Sequence, residues 1–421
     1  MRKPETIERL YLDFDGFFAS VEQQADKRLR GKPVGVVPYE GGVRSSVIAV
    51  SREAKMFGVK NVMSVVDAKK LCPDMVLVVQ KPDLYRRANN AILAELEAII
   101  PIDAVKSIDE LTCVLDDEQR ADPELLTYRI RARLRENIGQ FITCSVGYAA
   151  NRQLAKMACK AGKKSEGRYG SGLAIWHPQE AEQHLFKVKL DDVPGVGSNM
   201  FRKLMRFGIY DTEMLYNTQP KQMRKIWNNV TGERLWYALH GYDIQAPESQ
   251  RGAFGHARVL PPEARSMTAA YEIARLLLVK AARRLRRENY YCSGLWIWLS
   301  LRQDGWTRTM KLPMVNDDQA VLSALKQGWD IALRDLGRTT TPFRVGVTLV
   351  DLTPAGERQT DLLLADDVER QRWEKASAAV DALNSRYSGT VVSVGDWKPP
   401  KGGNVGGKIS FTRIPSAEDF W

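Results

Sequence analysis

The first strand-like stretch of the chain alternates between apolar and polar side chains. The apolar positions are Leu10, Leu12 and Phe14, and the polar positions between and after them are Tyr11, Asp13 and Asp15. A period of two is typical of a strand with one buried face. Gly16 then ends the strand, and residues 17–24 begin a helix. The pattern predicts a strand whose apolar face enters a core and whose opposite face carries carboxylates near the strand's end.

A second strand-like run, residues 104–116, contains two adjacent acids, Asp109 and Glu110. Acidic residues are disfavoured within strands and need a partner where they are buried. Asp13, Asp109 and Glu110 together would suit two divalent metal ions, the arrangement that supports in-line phosphoryl transfer. Strands that end in solvated acids are the alternative interpretation.

Further periodic segments alternate between helix and strand along the chain. The predicted helices are 82–100, 123–138, 268–288 and 319–336, and the predicted strands are 46–50, 141–148, 293–301, 306–312 and 344–352, with one more near 255–260. In the first half this order predicts a small sheet backed by helices, as in ferredoxin-like domains. After Pro354 the pattern becomes less regular.

The composition is that of a globular protein with an excess of positive charge. Among 421 residues there are 62 Lys and Arg against 51 Asp and Glu, which gives a net charge of +11 and favours a polyanionic partner. The five cysteines include no Cys-x-x-Cys pair, so we expect neither a disulfide framework nor a zinc site. We find no signal peptide and no apolar run of membrane-spanning length, and we expect a cytoplasmic protein.

Residues 10–22 and the run Ser107-Ile108-Asp109-Glu110 resemble the metal motifs of the Y-family (DinB/UmuC-type) translesion DNA polymerases. The resemblance extends over nearly the whole chain. It implies a template-directed DNA polymerase of low fidelity that binds primer-template DNA and a dNTP and extends the primer 3′-hydroxyl. It also implies that Asp13, Asp109, Glu110 and the backbone carbonyl of Phe14 bind two Mg²⁺ ions.

The resemblance implies an α+β multidomain fold. Its parts would be a ferredoxin-like palm, small fingers, a helical thumb with a helix-hairpin-helix, and an α/β little finger. The implied ranges are 1–24 and 80–184 for the palm, 25–79 for the fingers, 185–245 for the thumb, 254–356 for the little finger and 357–421 for a C-terminal tail.

Five residues match nucleotide-binding positions of the family. They are Phe17 through its backbone N–H, Phe18 beneath the deoxyribose, and Arg52, Lys55 and Lys163 at the triphosphate. Many relatives carry Tyr-x-x-Arg where this chain has Arg52-x-x-Lys55, and Lys is a point charge, not a bidentate fork. Ser46 and Ile48 would form the roof of the base pair. For the basic residues, the alternative is a solvated basic helix face. For Phe18, the alternative is a core anchor of the first helix. Lys156 is expected to be structural or to contact the backbone.

Two regions of the chain resemble the DNA-binding parts of the family. The turn Pro194-Gly195-Val196-Gly197 resembles a helix-hairpin-helix, in which the N–H groups around Gly195 and Gly197 hold a DNA phosphate. An ordinary glycine turn is the alternative. In the little finger, Arg258, Arg265 and Arg344 are the candidate contacts to the DNA backbone.

The C-terminal region contains a candidate docking peptide. Gln359, Leu362, Leu363 and Leu364 resemble the peptide with which such polymerases bind a sliding clamp, and a plain tail helix is the alternative. The tail resembles that of the polymerase V branch, which uses an accessory dimer. A catalytically silent DNA-binding scaffold is a rival hypothesis for the whole chain, but the three acids are present. A nucleotidyl cyclase is another rival, and it has no use for the hairpin or the basic C-terminal domain.

Overall fold

The computed structural model describes residues 1–38, 45–164, 172–245, 251–302, 304–358, 366–395 and 416–417. These residues form two compact units, the first from residue 1 to 245 and the second from residue 251 onward. Within the described ranges, every helix is too short or too polar to cross a bilayer.

The first unit contains both strands and helices. Its strands are β1 (Arg9–Phe14), β2 (Val34–Val37), β3 (Ala49–Val50), β4 (Val76–Val79), β5 (Ile102–Val105), β6 (Glu110–Val114), β7 (Cys144–Ala149) and β8 (Leu173–Ile175). Its helices are α1 (Phe17–Ala25), α2 (Arg52–Met56), α3 (Val65–Leu71), α4 (Pro82–Glu97), α5 (Asp117–Ala121), α6 (Pro123–Asn137), α7 (Arg152–Lys164), α8 (Ala181–Leu185), α9 (Ser198–Arg206), α10 (Thr212–Asn217), α11 (Pro220–Trp227) and α12 (Val230–Leu239).

Strand β1 lies in the middle of a five-stranded sheet of order β5-β6-β1-β7-β8. It pairs antiparallel with both β6 and β7. Its apolar side chains enter a core shared with α4 and α6, for example Leu10 and Leu12 against Ile92 and Ile130. Tyr11, on the other face, packs in a separate core with α7. The alternation therefore predicted both faces of β1 correctly.

Helix α7 packs unusually close to the sheet because β7 contains Gly147. A Cβ atom at Gly147 would collide with the backbone nitrogen of Cys159 and the carbonyl oxygen of Ala155, both in α7. The missing side chain thus lets the helix backbone rest directly on the strand. This contact sets the height of the lysines of α7 above the sheet.

The remainder of the first unit consists of a small sheet and a group of helices. The small sheet has the order β3-β2-β4, with β2 and β4 parallel, and packs with α2 and α3 around Val47 and Met75. Helices α8 to α12 pack on the α7 side through residues such as Leu204 and Ile226. The predicted strand 46–50 is shorter than expected, because Ser46 bridges to Ser64 and only Ala49 and Val50 belong to β3.

The second unit is a four-stranded antiparallel sheet with helices on one face. Its elements are β9 (Phe254–Val259), α13 (Met267–Arg287), β10 (Tyr290–Ser300), β11 (Gly305–Val315), α14 (Asp318–Leu336), β12 (Arg344–Pro354) and α15 (Asp366–Arg386). The sheet order is β11-β10-β12-β9, and α13 and α14 share its core through Leu285, Leu325 and Ile297. The predicted order of these elements through β12 is confirmed, as is the α+β class of the chain.

Two expectations about secondary structure were wrong. The run 104–116 is not one strand, because the chain turns at residues 106–109 and pairs β5 with β6 as a hairpin. Asp109 lies in that turn and Glu110 is the first residue of β6, which avoids placing two acids within a strand. The chain was also expected to be less regular after Pro354, but α15 forms 21 residues of regular helix there.

Helix α15 is fixed to α13 by buried ion pairs. Asp381 accepts hydrogen bonds from Arg283 at 3.1 Å and from Arg286 at 2.6 Å, and Arg286 also donates to Asp318 at 2.8 Å. The hydroxyl of Ser377 accepts a bond from the backbone N–H of Asp318 at 3.0 Å. Burial raises the pKa of Asp318, whereas Arg286 opposes that rise. The arginines at the end of α13 are therefore structural partners of α15.

We expect the change Gly147→Ala to lower the free energy of unfolding by about 3 kcal/mol, because the new methyl group overlaps backbone that cannot move without displacing α7. Urea denaturation followed by circular dichroism measures the change. Gly197→Ala is the matched control, since Gly197 lies in open space in the same unit, and it should cost no more than about 1 kcal/mol. Equal effects of the two changes would contradict the close packing of α7.

Candidate active site

The three predicted acids lie together at the adjoining ends of β1 and β6. Asp13 is directly opposite Glu110 in the antiparallel register, so both side chains are on the α7 face of the sheet. The backbone N–H of Phe14 donates to the carbonyl of Asp109 at 2.8 Å, which fixes the turn residue beside the pair. Two neighbouring strands thus bring three carboxylates to one edge of the sheet.

Lys163 of α7 covers Asp13. Its ammonium group forms an ion pair with the Asp13 carboxylate and lies 3.4 Å from an oxygen of Asp15. Asp15 is held by the hydroxyl groups of Ser145 at 2.9 Å and Thr143 at 3.2 Å, both of which donate to it. The predicted nucleotide-binding lysine therefore contacts two carboxylates directly.

Glu110 has a separate set of partners. The ammonium group of Lys156 lies 3.0 and 2.9 Å from its two oxygens, and the Tyr11 hydroxyl donates to it at 2.8 Å. Lys156 also lies over the Tyr11 ring, 5.1 Å from its centroid. Asp109, by contrast, accepts a bond from the Ser107 hydroxyl at 2.6 Å. Each of the three carboxylates thus has its own partner.

Burial and mutual repulsion affect the ionisation of this site. Burial raises the pKa of Asp13 to about 6; the negative charges of Asp109 and Glu110 add to this rise, and Lys163 opposes it. Burial lowers the pKa of Lys163, but the carboxylates of Asp13 and Asp15 raise it more, so its pKa lies above the ordinary range. Burial, followed by the positive charge of Lys163, lowers the pKa of Lys55.

The donor groups fit divalent cations in their chemistry. Carboxylate and carbonyl oxygens are the ligands that Mg²⁺ and similar hard cations prefer. Burial, with a smaller contribution from Asp109 and Glu110, disfavours the charged form of Asp13, and a bound cation would favour that form. Among the described residues, no three such side chains converge as a ready-made metal site. A cation at Asp13 would take the place that the Lys163 ammonium group holds.

The start of α1 adjoins the same carboxylates. Gly16 adopts the left-handed conformation at φ 56°, and a Cβ there would lie 2.7 Å from the carbonyl oxygen of Val50 and 3.8 Å from the Lys55 ammonium nitrogen. Phe17 is buried, whereas Phe18 is half-buried with its ring stacked on Tyr85 at 4.5 Å. Phe18 therefore packs on the core but keeps one side accessible.

Three further predicted site residues, Arg52, Ser46 and Ile48, lie in or beside the small sheet and α2. Arg52 is exposed in the first turn of α2, where Ser51 forms the predicted cap by accepting from the N–H of Ala54. Ser46 and Ile48 are half-buried beside β2, and the N–H of Ile48 donates to Val36 at 2.8 Å.

The predicted DNA contacts lie in both units. Gly195 and Gly197 are exposed in the turn before α9, and Gly195 has a φ of 100° that favours glycine. In the second unit, Arg258 pairs with the buried Val345 and so lies on the helix-covered face, whereas Arg344 lies on the opposite face over the Trp298 ring. Arg265 donates to the carbonyl of Leu260 at 3.0 Å. The three arginines do not share one face of the sheet.

The predicted clamp-binding residues lie outside the described part of the chain. They are Gln359, Leu362, Leu363 and Leu364.

Four residues around the carboxylates were not predicted as site residues. They are Tyr11, Asp15, Ser107 and Lys156. The alternation along β1 could have identified Tyr11 and Asp15, because they share the face of Asp13. No local signal identifies the pairing of Lys156 with Glu110, which depends on how α7 crosses the sheet.

Comparisons with known proteins identify the family of the chain. The sequence model of the impB/mucB/samB family matches residues 12–160, and that of its C-terminal domain matches residues 251–362. A DNA polymerase IV of Moorella thermoacetica is 29% identical, with 91% of this chain and 94% of that protein aligned. For one of Oceanobacillus iheyensis the identity is 27%, with 91% and 90% aligned.

A solved Y-family DNA polymerase chimera of Dbh and Dpo4 superposes with a TM-score of 0.67 at 22% identity, and the match covers 82% of this chain and 99% of that one. This likeness shows a shared fold. None of these matches supports the predicted lean toward the polymerase V branch. The two sequence models together match more than half of the 421 residues, and the chain therefore belongs to the impB/mucB/samB family of Y-family DNA polymerases.

Proposed function

We propose that this chain is a template-directed DNA polymerase for translesion synthesis that extends a primer 3′-hydroxyl with a dNTP. The observation that carries the proposal is the grouping of Asp13, Asp109 and Glu110 at the adjoining ends of β1 and β6, with Lys163 above them. The family supports the same reaction, since relatives that align over nine-tenths of the chain bear the name DNA polymerase IV. Y-family polymerases use divalent metal ions, and we propose two Mg²⁺ ions here.

The residues of the site would act by position and charge, without a side-chain nucleophile. Asp13, Asp109, Glu110 and the Phe14 carbonyl would hold the metal ions, which supply charge neutralisation for in-line attack on the α-phosphate. Lys55 and Lys163, with Arg52 farther out, would bind the triphosphate, and the N–H of Phe17 would add a hydrogen bond at the start of α1. Ser46 and Ile48 would contact the nascent base pair.

The predicted DNA contacts would position the duplex without reading its sequence, which suits an enzyme that must accept any template. The N–H groups near Gly195 and Gly197 would hold one backbone phosphate. Arg344 is exposed on the open face of its sheet, which supports a contact there. Arg258 and Arg265 are weaker candidates, because Arg258 lies on the covered face and Arg265 is engaged with Leu260.

We expect Asp109→Ala to reduce primer extension by about a hundredfold or more, because a charge that neutralises the transition state through the metal is lost. Binding of primer-template DNA, measured by fluorescence anisotropy, should stay nearly unchanged. Asp117→Ala is the control, since that carboxylate is fully exposed in α5 and pairs only with Arg120 in its own helix among the described residues. Extension by Asp109→Ala at the control's rate would refute the proposed site.

We expect Phe18→Ala to raise the incorporation of ribonucleotides relative to deoxyribonucleotides by about tenfold or more, because the ring would no longer block a 2′-hydroxyl. Single-nucleotide extension with matched dNTP and rNTP measures the ratio. Tyr85→Phe keeps the stacked ring beneath Phe18 and removes only its hydroxyl, so it should leave the ratio unchanged. An unchanged ratio in Phe18→Ala would assign Phe18 to the core alone.

The sliding-clamp peptide and the accessory dimer remain predictions from the sequence. We expect Leu362→Ala combined with Leu363→Ala to lower clamp-stimulated processivity and to leave clamp-free extension unchanged, because each leucine buried in a partner contributes roughly 1.5–3 kcal/mol. Gln359 and Leu364 would complete the peptide. Equal loss in both assays would mean that these leucines belong to the fold. Clamp-free extension by the purified chain also tests whether an accessory dimer is required.

A further inference from the structure

The two lysines that neutralise the carboxylates have different partners. Lys156 contacts both oxygens of Glu110 and lies over the Tyr11 ring, so one carboxylate and one ring fix its ammonium group. Lys163 contacts Asp13 and Asp15, and its positive charge acts on the neighbouring Lys55. Lys55 and Lys163 together concentrate positive charge near the start of α1.

The ammonium group of Lys163 and a metal ion cannot both sit against the same oxygen of Asp13. Lys163 already supplies a positive charge at this carboxylate, and its side chain is partly exposed. A polyphosphate that approaches Lys55 and the start of α1 would offer Lys163 a second anionic partner. The pair Asp13–Lys163 therefore has two alternative sets of partners.

We propose that Lys163 is an exchangeable counterion that links nucleotide binding to metal binding. Without a nucleotide, Lys163 neutralises Asp13 and competes with a divalent cation. When a nucleotide triphosphate binds, Lys163 passes from Asp13 to the phosphates and frees the carboxylate for the cation. Each ligand then raises the affinity of the other, as linkage requires. The inference rests on the proposed function, because the triphosphate is the substrate of the proposed reaction.

The test measures Mn²⁺ binding to the nucleotide-free full chain by electron paramagnetic resonance. We expect Lys163→Met to bind Mn²⁺ roughly tenfold more tightly than the unchanged protein at low salt, because a charge in direct contact with the ligand has been removed. Lys55→Met is the matched control. It removes a charge from the same surroundings but breaks no ion pair among the described residues, so it should change the affinity by about twofold at most.

A second readout separates the exchange from simple competition. At saturating dNTP, Lys163 would already have left Asp13. The Mg²⁺ concentration for half-maximal extension should then be similar for Lys163→Met and the unchanged protein. The fold-change in this concentration should be much smaller than the fold-change in Mn²⁺ affinity without nucleotide. Equal shifts in both measurements would refute the exchange. Circular dichroism melting of both variants confirms that they fold, and Lys163→Gln replaces Lys163→Met if it does not.

Mn²⁺ affinity of Lys163→Met equal to or below that of Lys55→Met would overturn the inference, as would undetectable binding in all proteins. These outcomes are distinct from failure of the proposed function. If the proposed function failed, the unchanged protein would show no primer extension. The Mn²⁺ titration would still decide whether Lys163 competes with a cation at Asp13.

Discussion

Electrostatic repulsion among the grouped carboxylates is the constraint on which the rest of the first unit depends. Asp13 and Glu110 face each other across β1 and β6, with Asp109 in the adjacent turn. Burial raises the pKa of Asp13, and the negative charges of Asp109 and Glu110 add to that rise. Such a site is stable only if positive charge lies close by, and α7 provides it through Lys156 and Lys163, which lie on the same side of the helix, about two turns apart.

The ion pairs of the candidate site depend on a glycine that lies outside it. Gly147 allows the backbone of α7 to rest on β7, and this packing sets where Lys156 and Lys163 meet the carboxylates. Since reacting charges must be positioned within a fraction of an ångström, a small change in helix height would alter both ion pairs. The packing of α7 on β7 therefore sets the distances between the lysines and the carboxylates of the candidate site.

Some of this arrangement could be predicted from the sequence, because it depends on local periodicity. The alternation along β1 predicted which residues enter the core, and the long helices α4, α6, α13 and α14 follow clear apolar stripes. The hairpin of β5 and β6 was missed, because its turn depends on pairing between strands and the local pattern resembles one long strand. The bond between Lys156 and Glu110 was missed for the same reason, since it joins residues 46 positions apart.

Helix α15 has a consequence for where the C-terminal domain ends. The match to the family's C-terminal domain stops at residue 362, before α15 begins. Removing the helix would take Asp381 away from two buried guanidinium groups, those of Arg283 and Arg286, and such a loss typically costs about 3–5 kcal/mol. The boundary of sequence similarity is therefore not the boundary of the cooperative folding unit. A domain truncated at the end of the family match would leave Arg283 and Arg286 without the carboxylate of Asp381.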